Sequence, residues 1–463
     1  MKAAAWCHVF LMLLAGASVA AMQSAPVVPD GPEPFTMRVV ATGLDAPWEL
    51  TWGPDDQLWV TERRGKRVLR INPLDGSRTE LLTVADAHQS VAQDGLLGMA
   101  LHRDLNVLNG SGNDYVYLAL TYDAAPGETL LRNIAIRRYT YDRRTSRLES
   151  PMNILTGLPA GDDHVAGRLV FGPDQKLYLS LGDEGANWLQ NSCRPNRALE
   201  LPTASEVNAR DWTHYQGKIL RVNLDGSIPS DNPSIAGVRS HVFSYGHRNP
   251  QGLVFGAGGR LYESEHGPSS DDEVNLIEAG GNYGWPRVAG YRDDKGYAWA
   301  DWSSSRPEPC ASLRPNNGSG LLPSVPTERE TGWKTDFKPP IQTFFTVDAE
   351  WNVQPKDSTV APGSLDVVAS DRAIPGWNGS LLLPSLLRGV VFRLKLAADG
   401  RSVTGTPLQY FKTTNRYRDL AVHPGQHMFY VITDVEGLSM DGAGRPTRML
   451  ANPGSVLEFK SAS

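Results

Sequence analysis

A short motif that recurs along the chain constrains its fold more than any other feature of the sequence. In each copy, a turn containing Gly, Pro or Asp leads into a short run of β-branched, aromatic and leucine residues, which is typical of a strand. Six copies at irregular spacing favour a radially repeated all-β fold, a propeller, in which each blade closes on itself and insertions collect in loops at one face. A β-sandwich built from similar hairpins is the alternative. The copies are WGPDDQLWVTE from Trp52, LHRDLN followed by DYVYLALTY from Leu101, FGPDQKLYLSLGD from Phe171, FGAGGRLYESEHG from Phe255, WNGSLLLPSL from Trp377 and HPGQHMFYVITD from His423.

Two long segments that lack the motif are interpreted as functional loop insertions rather than as separate domains. They run near Cys193–Thr213 and Asp301–Pro340 and show no helical periodicity beyond short pieces. Long ordered loops in a compact fold are more often functional than neutral. Cys193 and Cys310 could pair in an oxidising compartment, but two cysteines so far apart in sequence do not establish a bridge.

The N-terminus has the pattern of a secretory signal peptide, which we assign to residues 1–21. Lys2 is followed by an uncharged apolar run, residues 3–14, and then by small residues that offer cleavage after Ala20 or Ala21. The apolar run is too short for a good membrane span, and no later segment reaches that length. A formal net charge of −6 provides no basic surface for nucleic acid or for a membrane. We therefore expect an exported protein, periplasmic or secreted, without a membrane span and without a nucleic-acid partner.

The stretch GDDHVAGRLVFGPDQKLYLSLGD, residues 161–183, contains a candidate catalytic pair. Two runs of alternating apolar residues flank a Gly-Pro-Asp turn, which predicts a β-hairpin. Adjacent antiparallel strands bring His164 and Asp183, near the outer ends of the hairpin, into one neighbourhood. A carboxylate that accepts a hydrogen bond from one imidazole nitrogen fixes the tautomer and leaves the other nitrogen free to act as a base. The alternative is a loop histidine beside an aspartate that only forms a turn.

Three further clusters of polar residues have the chemistry of a binding site. GHRNPQG, residues 246–252, holds the cationic Arg248 in a turn-rich stretch, and SEHGPSSDDEVN, residues 264–275, is predicted as a loop with free backbone carbonyls and an acidic run. Arg416 and Arg418 in NRYRD are two residues apart and therefore face the same side of a strand. Paired guanidinium groups suit a ligand that carries carboxylates or phosphates. Each cluster taken alone is also compatible with a solvated surface.

Taken together, these motifs resemble those of soluble quinoprotein glucose dehydrogenase and the related aldose sugar dehydrogenases. The resemblance implies an all-β, six-bladed β-propeller that spans residues 35–461 as a single domain, with pyrroloquinoline quinone (PQQ) and calcium at the axial mouth. It also implies oxidation of the C1 hydroxyl of an aldose, glucose or a related sugar, to a lactone, with electrons passed to an external acceptor such as a quinone, a cytochrome or a dye. The matching motifs extend from about Val39 to about Phe459 and include HVAGRLVFGPDQKLY, GKILRVNLDGSIPSDNP, GHRNPQGL, SEHGPSSDDEVNL, GGNYGWPRVAGY and NRYRD.

The resemblance implies a role for individual residues. His164 would take the proton from the C1 hydroxyl while hydride passes to the quinone, and Asp183 would orient His164. Arg248 would stabilise the charge that develops on the reduced quinone. Cofactor contacts are implied for His164, Arg248, Gln93, Asn249, Thr359, Arg416 and Arg418. Calcium at the quinone would be bound by the backbone carbonyls of Gly267 and Pro268, and a second calcium region near the family's homodimer contact is implied by Glu273, Tyr283, Ala289 and Asp293.

Departures from the family pattern fall mainly on the substrate side. Leu387 replaces a lysine of the family's Pro-Ser-Leu-x-Arg-Gly motif, so that one cationic contact to the cofactor is missing, and the neighbouring Arg388 is the candidate substitute. Trp188 stands where a glutamine would line the sugar pocket, and His266 replaces another glutamine. The segment between Phe345 and Pro362 is also much shorter than its counterpart. The resemblance therefore supports the quinone cofactor and the reaction type more strongly than it supports glucose as the substrate.

Two other functions are compatible with a propeller. A calcium-dependent lactonase or other hydrolase would need acidic and amide side chains on one axial metal and would have no use for Arg416 and Arg418. A carbohydrate-binding propeller without activity should have lost His164 or its partner, and both residues are present. The sequence contains no nucleophilic serine elbow, HExxH helix, phosphate-binding loop or CxxC pair. The sugar dehydrogenase is therefore the leading hypothesis.

Overall fold

A computed structural model describes residues 28–90, 92–105, 112–313, 323–347 and 359–462. Within these residues the chain forms six four-stranded sheets, and adjacent strands in each sheet are antiparallel. The innermost strands contact one another in a closed ring, so that the predicted six-bladed β-propeller is confirmed. The proposed signal peptide, residues 1–21, lies outside the described residues.

The strands of each blade follow one another from the axis outward. Blade 1 consists of Pro47–Trp52, Leu58–Glu62, Arg67–Ile71 and Arg78–Thr83, and blade 2 of Leu96–Leu101, Tyr115–Asp123, Arg132–Asp142 and Arg147–Pro159. Blade 3 consists of Ala166–Phe171, Leu177–Leu181, Lys218–Val222 and Val242–Tyr245, and blade 4 of Pro250–Phe255, Leu261–Glu265, Asp272–Ile277 and Gln342–Phe344. Blade 5 consists of Asp366–Val368, Ser380–Pro384, Val391–Leu396 and Val403–Tyr410, and blade 6 of Tyr417–Val422, Met428–Thr433, Val456–Ser461 and Phe35–Ala41.

The recurring sequence motif corresponds to the turn between the first and second strands of a blade. In blade 1 the N–H of Gly53 donates to the carbonyl of Gln57 at 2.8 Å, and in blade 3 the N–H of Gly172 donates to that of Lys176 at 2.9 Å. Gln175 within the blade 3 turn has a φ of 61°, in the left-handed region that tight turns use. Similar turn chemistry therefore produces the same hairpin in these two blades.

Apolar side chains fill the spaces between neighbouring blades. Tyr117 of blade 2 and Leu179 of blade 3 belong to one cluster, and Val60 of blade 1 and Ile432 of blade 6 belong to another. All four side chains are fully buried. Burial of such a side chain stabilises a fold by about 1.5–3 kcal/mol. The cores between blades thus leave the axis itself free for polar groups.

The shorter elements lie outside the six described sheets. Two-stranded ladders pair Ser234–Ile235 with Val238–Arg239, Trp299–Ala300 with Thr327–Glu328, and Ser439–Met440 with Pro446–Thr447. The α-helix Ala204–Ala209 begins at Thr203, whose side chain and that of Glu206 form a capping box. The 3₁₀ turns are Leu189–Asn191, Thr213–Tyr215, Ala257–Gly259, Trp302–Ser304, Cys310–Ser312 and Glu330–Gly332.

The two predicted insertions are joined to each other. A disulfide links Cys193 and Cys310, 117 residues apart in sequence, and answers the question that the cysteine spacing left open. In the part of the chain that the structure describes, no helix is long and apolar enough to cross a membrane.

Candidate active site

The candidate active site lies at the mouth of the propeller where first strands begin and second strands end. Because the two strands are antiparallel, these ends lie at the same edge of each blade. The same edge therefore collects residues that are far apart in sequence. His164, Arg248 and Arg416 lie just before the first strands of blades 3, 4 and 6, while Arg63, Asp183, His266 and Asp434 follow the second strands of blades 1, 3, 4 and 6.

His164 and Asp183 are in direct contact. The distance from His164 Nδ1 to Asp183 Oδ1 is 2.6 Å, and both side chains are buried. Asp183 also accepts hydrogen bonds from Asn196 Nδ2 at 2.8 Å and from Trp285 Nε1 at 2.7 Å. With Nδ1 bound to a carboxylate, the tautomer that places its proton there leaves Nε2 able to accept a proton from another molecule. His164 has a φ of 45°, a strained backbone conformation of the kind that clusters at functional sites.

Arg248 lies within cation–π distance of two indole rings beside this pair. Its Cζ atom is 5.1 Å from the centroid of Trp188 and 5.3 Å from that of Trp285. Its Nη1 donates to the carbonyl of His266 at 3.1 Å, whereas its buried Nε has no hydrogen-bond partner among the described residues. Burial lowers the pKa of Arg248, although Asp183 and other nearby carboxylates oppose the shift. The buried guanidinium group is therefore available to an electron-rich ligand.

A cavity of about 290 Å³ next to the pair is lined by guanidinium groups. Arg63, Arg416 and Arg418 all contribute to its wall. Asp434 accepts a hydrogen bond from Arg418 at 2.9 Å and lies 3.6 Å from Arg416. Burial would raise the pKa of Asp434, but these two arginines outweigh it and hold the pKa below its usual value. The single carboxylate of Asp434 thus orients the guanidinium groups of Arg416 and Arg418 and balances only part of their charge.

His266 connects the cavity with the buried pair. It lines the cavity and bonds through Nε2 to the carbonyl of Pro362 at 2.7 Å. Burial lowers the pKa of His266 to about 3, and the nearby groups of Arg248, His164 and Arg418 act in the same direction. His164 and Arg248 are not among the described residues that line this cavity. Both lie next to His266, which does line it.

The remaining predicted cofactor contacts have different settings. Gln93 lines the cavity and bonds to Asp163, the residue before His164. Asn249 is buried, and its side-chain oxygen accepts from Gln251 Nε2 at 2.9 Å. Thr359 donates to Asp272 at 2.6 Å rather than contributing to the cavity wall.

The loop between the second and third strands of blade 4 contains the first predicted calcium site. The acidic stretch is less of a loop than the sequence predicted, because only residues 266–271 separate strands that end at Glu265 and resume at Asp272. Asp271 Oδ2 is buried without a hydrogen-bond partner among the described residues, and burial raises the pKa of Asp271 to about 7. Asp272 holds the loop by accepting from the N–H of Gly267 at 2.9 Å. The Asp271 carboxylate lies against Gly290 and Gly296 and interacts electrostatically with Glu273 and Glu330. This buried oxygen, a donor of the type that calcium prefers, therefore faces the second predicted calcium region rather than Gly267 and Pro268.

The second predicted calcium region contains carboxylates that repel one another. Glu273 accepts from the N–H of Gly290 at 2.6 Å and is fully buried by its neighbours, which raises its pKa well above the usual value. Glu330, which sequence reasoning missed, accepts from the N–H groups of Ala289 at 2.9 Å and Asp293 at 3.2 Å. Tyr283 lies apart from these carboxylates and stacks on His247 at 4.7 Å. Burial raises the pKa of Glu330 to about 8, and a bound cation would remove the cost of its charge.

Arg388 does not take the place of the missing lysine at the arginine-lined cavity. Its Nε donates to the carbonyl of Thr359 at 2.8 Å, and its side chain lines a separate cavity of about 110 Å³ with Phe345. Leu387 is buried, and the neighbouring Leu386 contributes to the arginine-lined cavity instead. Most of the shortened segment near Phe345, residues 348–358, lies outside the described residues.

Sequence reasoning missed Arg63, Asp434, Asn196 and Trp285. The first two directly follow the second strands of blades 1 and 6. An alignment of the repeats on Gly182-Asp183, which follow the second strand of blade 3, could have identified them. Asn196 and Trp285 come from long connections without a repeating pattern. No signal in the sequence places those two beside Asp183.

Comparison with known proteins identifies the family. The family model of glucose/sorbosone dehydrogenase matches residues 44–312. Quinoprotein glucose dehydrogenase B of Acinetobacter calcoaceticus is 43% identical over 441 residues, 92% of this chain and 91% of that protein. The solved PQQ-bound form of aldose sugar dehydrogenase from Streptomyces coelicolor has a TM-score of 0.61 at 25% identity, covering 93% of this chain and 99% of that one. A putative oxidoreductase (glucose dehydrogenase) from Thermus thermophilus has a TM-score of 0.62 at 26% identity, with 92% and 100% covered.

The fold, the site and these relatives together define a class, the six-bladed propeller sugar dehydrogenases. The chain belongs to the glucose/sorbosone dehydrogenase family. Its predicted resemblance to soluble quinoprotein and aldose sugar dehydrogenases is confirmed, and so is its prediction as an enzyme of that kind.

Proposed function

We propose that this chain is an exported, PQQ- and calcium-dependent aldose dehydrogenase. It oxidises the C1 hydroxyl of an aldose to the lactone and passes the two electrons to an external acceptor. The observation that carries this proposal is a buried His164–Asp183 pair, with His164 Nδ1 2.6 Å from the carboxylate, beside a cavity lined by Arg63, Arg416 and Arg418. A proton acceptor and an anion-binding surface at one mouth suit oxidation of a neutral sugar with a charged cofactor.

The residues of the cavity fit PQQ, a flat molecule that carries carboxylates. The buried Nε atoms of Arg416, in the cavity wall, and of Arg248, which adjoins the cavity through His266, have no hydrogen-bond partner among the residues described, so each can donate to an anionic oxygen. Arg416 and Arg418 would bind the carboxylates, and Arg248 would lie against the oxygen that gains charge. When bound, PQQ would supply the acceptor for the hydride that leaves C1.

The chemistry assigned to the chain itself is a proton transfer. His164 accepts the proton of the C1 hydroxyl through Nε2, because its Nδ1 is bonded to Asp183. Asp183 is fixed by Trp285 and Asn196, so that the imidazolium formed in the step keeps its orientation. Such a pair needs no movement at the moment of reaction. The hydroxyl O–H and the C1–H bonds break, the imidazole N–H bond and the C1=O double bond of the lactone form, and the hydride would be taken up by the bound cofactor.

The carboxylates of blade 4 support calcium as the second cofactor. We expect the carbonyls of Gly267 and Pro268 to bind one ion next to the quinone, and Glu273 and Glu330 to bind another. Removal of bound calcium with a chelator should lower the melting temperature, because the acidic groups that remain are buried and repel one another. Adding back calcium should restore the melting temperature, whereas the same transition with and without chelator would contradict the proposed ion sites. Differential scanning fluorimetry measures this directly.

A propeller hydrolase remains the alternative, and the cavity argues against it. A hydrolase that activates water on one axial metal has no use for three guanidinium groups around a single cavity. Inactivity toward lactones together with activity toward aldoses would separate the two functions.

The decisive experiment is reconstitution of the apo-protein. The chain is expressed without cofactor, PQQ and calcium are added, and reduction of a dye is followed over a panel of aldoses. We expect turnover only when PQQ and calcium are both present. Absence of turnover with every sugar, although PQQ binds, would refute the proposed activity.

A further inference from the structure

The loop that follows Asp183 is fastened to a distant insertion at two points. Residues 184–198, here called the site loop, carry Cys193, which forms the disulfide with Cys310. Asn187 makes the second link, because its Nδ2 donates to the carbonyl of Ala300 at 2.6 Å and its Oδ1 accepts from the N–H of Trp302 at 2.9 Å. One covalent bond and two hydrogen bonds thus join the same pair of segments.

The site loop contacts the candidate catalytic groups on both sides of this fastening. Trp188, directly after Asn187, places its ring 5.1 Å from the guanidinium carbon of Arg248. Asn196, three residues after Cys193, donates to Asp183 at 2.8 Å. Displacement of the loop would therefore change the wall next to Arg248 and one of the partners of Asp183.

The loop has little regular structure with which to hold Trp188 by itself. Within it the described structure contains only the 3₁₀ turn Leu189–Asn191. Asn187 has a φ of 63°, in the left-handed region that Asn adopts more readily than most side chains. Its N–H donates to the carbonyls of Asn191 and Arg194 at 3.1 and 3.0 Å, which folds the loop back on itself and aims the Asn187 side chain at the insertion.

We propose that Asn187 and the Cys193–Cys310 disulfide form one clamp that positions Trp188 as the sugar-side wall of the active site. This inference rests on the proposed function and adds a determinant of substrate affinity to it. Asn187 is a positioning residue, since it acts through Trp188 and touches no reacting atom. Reduction of the disulfide therefore lowers the affinity for sugar, while the arginines of the cofactor cavity, which come from blades 1 and 6, keep their positions.

The expected effect follows from population arithmetic. If a released loop spends a tenth of its time in the binding-competent position, the apparent affinity for the ligand falls about tenfold. Turnover at saturating sugar changes much less, because the bound sugar selects the competent loop. The clamp therefore predicts a change in KM rather than in kcat.

The test compares the reconstituted wild type with Asn187→Ala, with the double variant Cys193→Ser/Cys310→Ser and with the triple combination. We expect each to raise KM for the sugar about tenfold, to change kcat less than threefold and to change the Kd of PQQ less than KM, because Arg416 and Arg418 stay in place. Because both links belong to one clamp, the triple variant should be little worse than the double variant. Dithiothreitol should raise KM of the wild type and not of the double variant. Asn191→Ala, on the same loop but bonded within it and to Asp162, is the matched control with unchanged KM.

An unchanged KM in the double variant, or a loss confined to the melting temperature, would overturn the clamp. Amide hydrogen exchange of residues 184–198 in the apo-protein provides a measurement that does not depend on turnover. Faster exchange on reduction, together with no sugar oxidation by the wild type, would uphold the clamp and refute the proposed function. Equal exchange in the oxidised and reduced proteins, with normal wild-type turnover, would refute the clamp and uphold the proposed function.

Discussion

At the scale of single residues, His164 combines an unusual backbone conformation with a buried hydrogen bond. Its φ of 45° is tolerated best by Asn among the other side chains, so His164→Asn removes the base with little disturbance of the backbone. We expect turnover to fall by about two to four orders of magnitude, the scale of a lost general base, with PQQ binding nearly unchanged. His427→Asn, at a φ of 55° in a turn between two strands of blade 6, is the matched control for steady-state kinetics. Equal turnover in the two variants would contradict the assignment of His164.

Arg416 allows a second test at the scale of single residues, because we expect it to bind the cofactor and to take no part in the proton transfer. Its buried Nε lacks a partner among the described residues, so Arg416→Ala should remove a charge-assisted contact to the cofactor and raise the Kd of PQQ about 10- to 100-fold. Arg445→Ala is the control, because Arg445 is an exposed arginine paired with Asp441 in the connection between the second and third strands of blade 6. Titration of PQQ into the apo-protein measures both. An identical titration curve for Arg416→Ala and wild type would exclude the anion-binding role.

The sequence predicts those contacts between site residues that follow directly from a strand pattern. His164 and Asp183 come together because the hairpin between them has a fixed register, and two arginines with one intervening residue reach the same carboxylate. Trp285 could not be predicted, because it reaches Asp183 from a connection of irregular shape 102 residues later. Side chains contributed by insertions depend on packing that no local period encodes.

At the scale of elements, a buried arginine joins the inner strands of several blades below the cavity. Arg168 of blade 3 lies 2.6 Å from Glu49 of blade 1 and 2.9 Å from Asp419 of blade 6, and its Nε donates to the carbonyl of Gln251 of blade 4 at 2.9 Å. Its Cζ atom is also 4.3 Å from the ring of Trp48, which lines the cavity. The network thus connects the floor of the site with the ring of strands.

We expect Arg168→Leu to lower the free energy of unfolding by about 3–5 kcal/mol, because two buried carboxylates lose their common partner. The double variant Arg168→Leu/Glu49→Gln should recover part of that loss by removing one charge. Arg38→Leu, which breaks an exposed pair with Glu458, should cost at most about 1 kcal/mol. Urea unfolding of the four proteins measures these differences. A cost for Arg168→Leu no larger than for Arg38→Leu would show that the network does not hold the blades together.

Elements were predictable where the motif was present. The motif located the first two strands of each blade through its turn chemistry, whereas the outer strands carry weaker alternation and vary in length from three residues in Gln342–Phe344 to thirteen in Arg147–Pro159. Insertions interrupt that outer pairing in blades 3 and 4. Outer strands are therefore defined by the neighbour against which they pack rather than by their own sequence.

At the scale of the whole molecule, the ring is closed by strands from opposite ends of the chain. Phe35–Ala41 forms the outer strand of blade 6 and pairs antiparallel with Val456–Ser461, for example Met37 with Phe459, with one register shift between Val39 and Ala41. The sequence predicted a closed propeller but not this closure, because pairing across more than 400 residues leaves no local pattern. The N-terminal strand supplies no residue of the candidate site, so its contribution is to the integrity of the ring.

A chain that begins at residue 43 should therefore fold less stably than one that begins at residue 28. Without Phe35–Ala41, the strand Val456–Ser461 becomes the exposed edge of blade 6, with unpaired backbone groups that can associate with other chains. Phe35 also packs at 5.2 Å against Trp377 of the neighbouring blade 5 region, so the truncation opens the core between these blades. We expect a lower melting temperature and concentration-dependent aggregation by light scattering, with PQQ affinity preserved in the monomeric fraction because Arg416 and Arg418 remain in place. A truncated chain that stays monomeric and melts at the temperature of the longer one would mean that three strands suffice for blade 6, and that the ring is held closed by the inner strands alone.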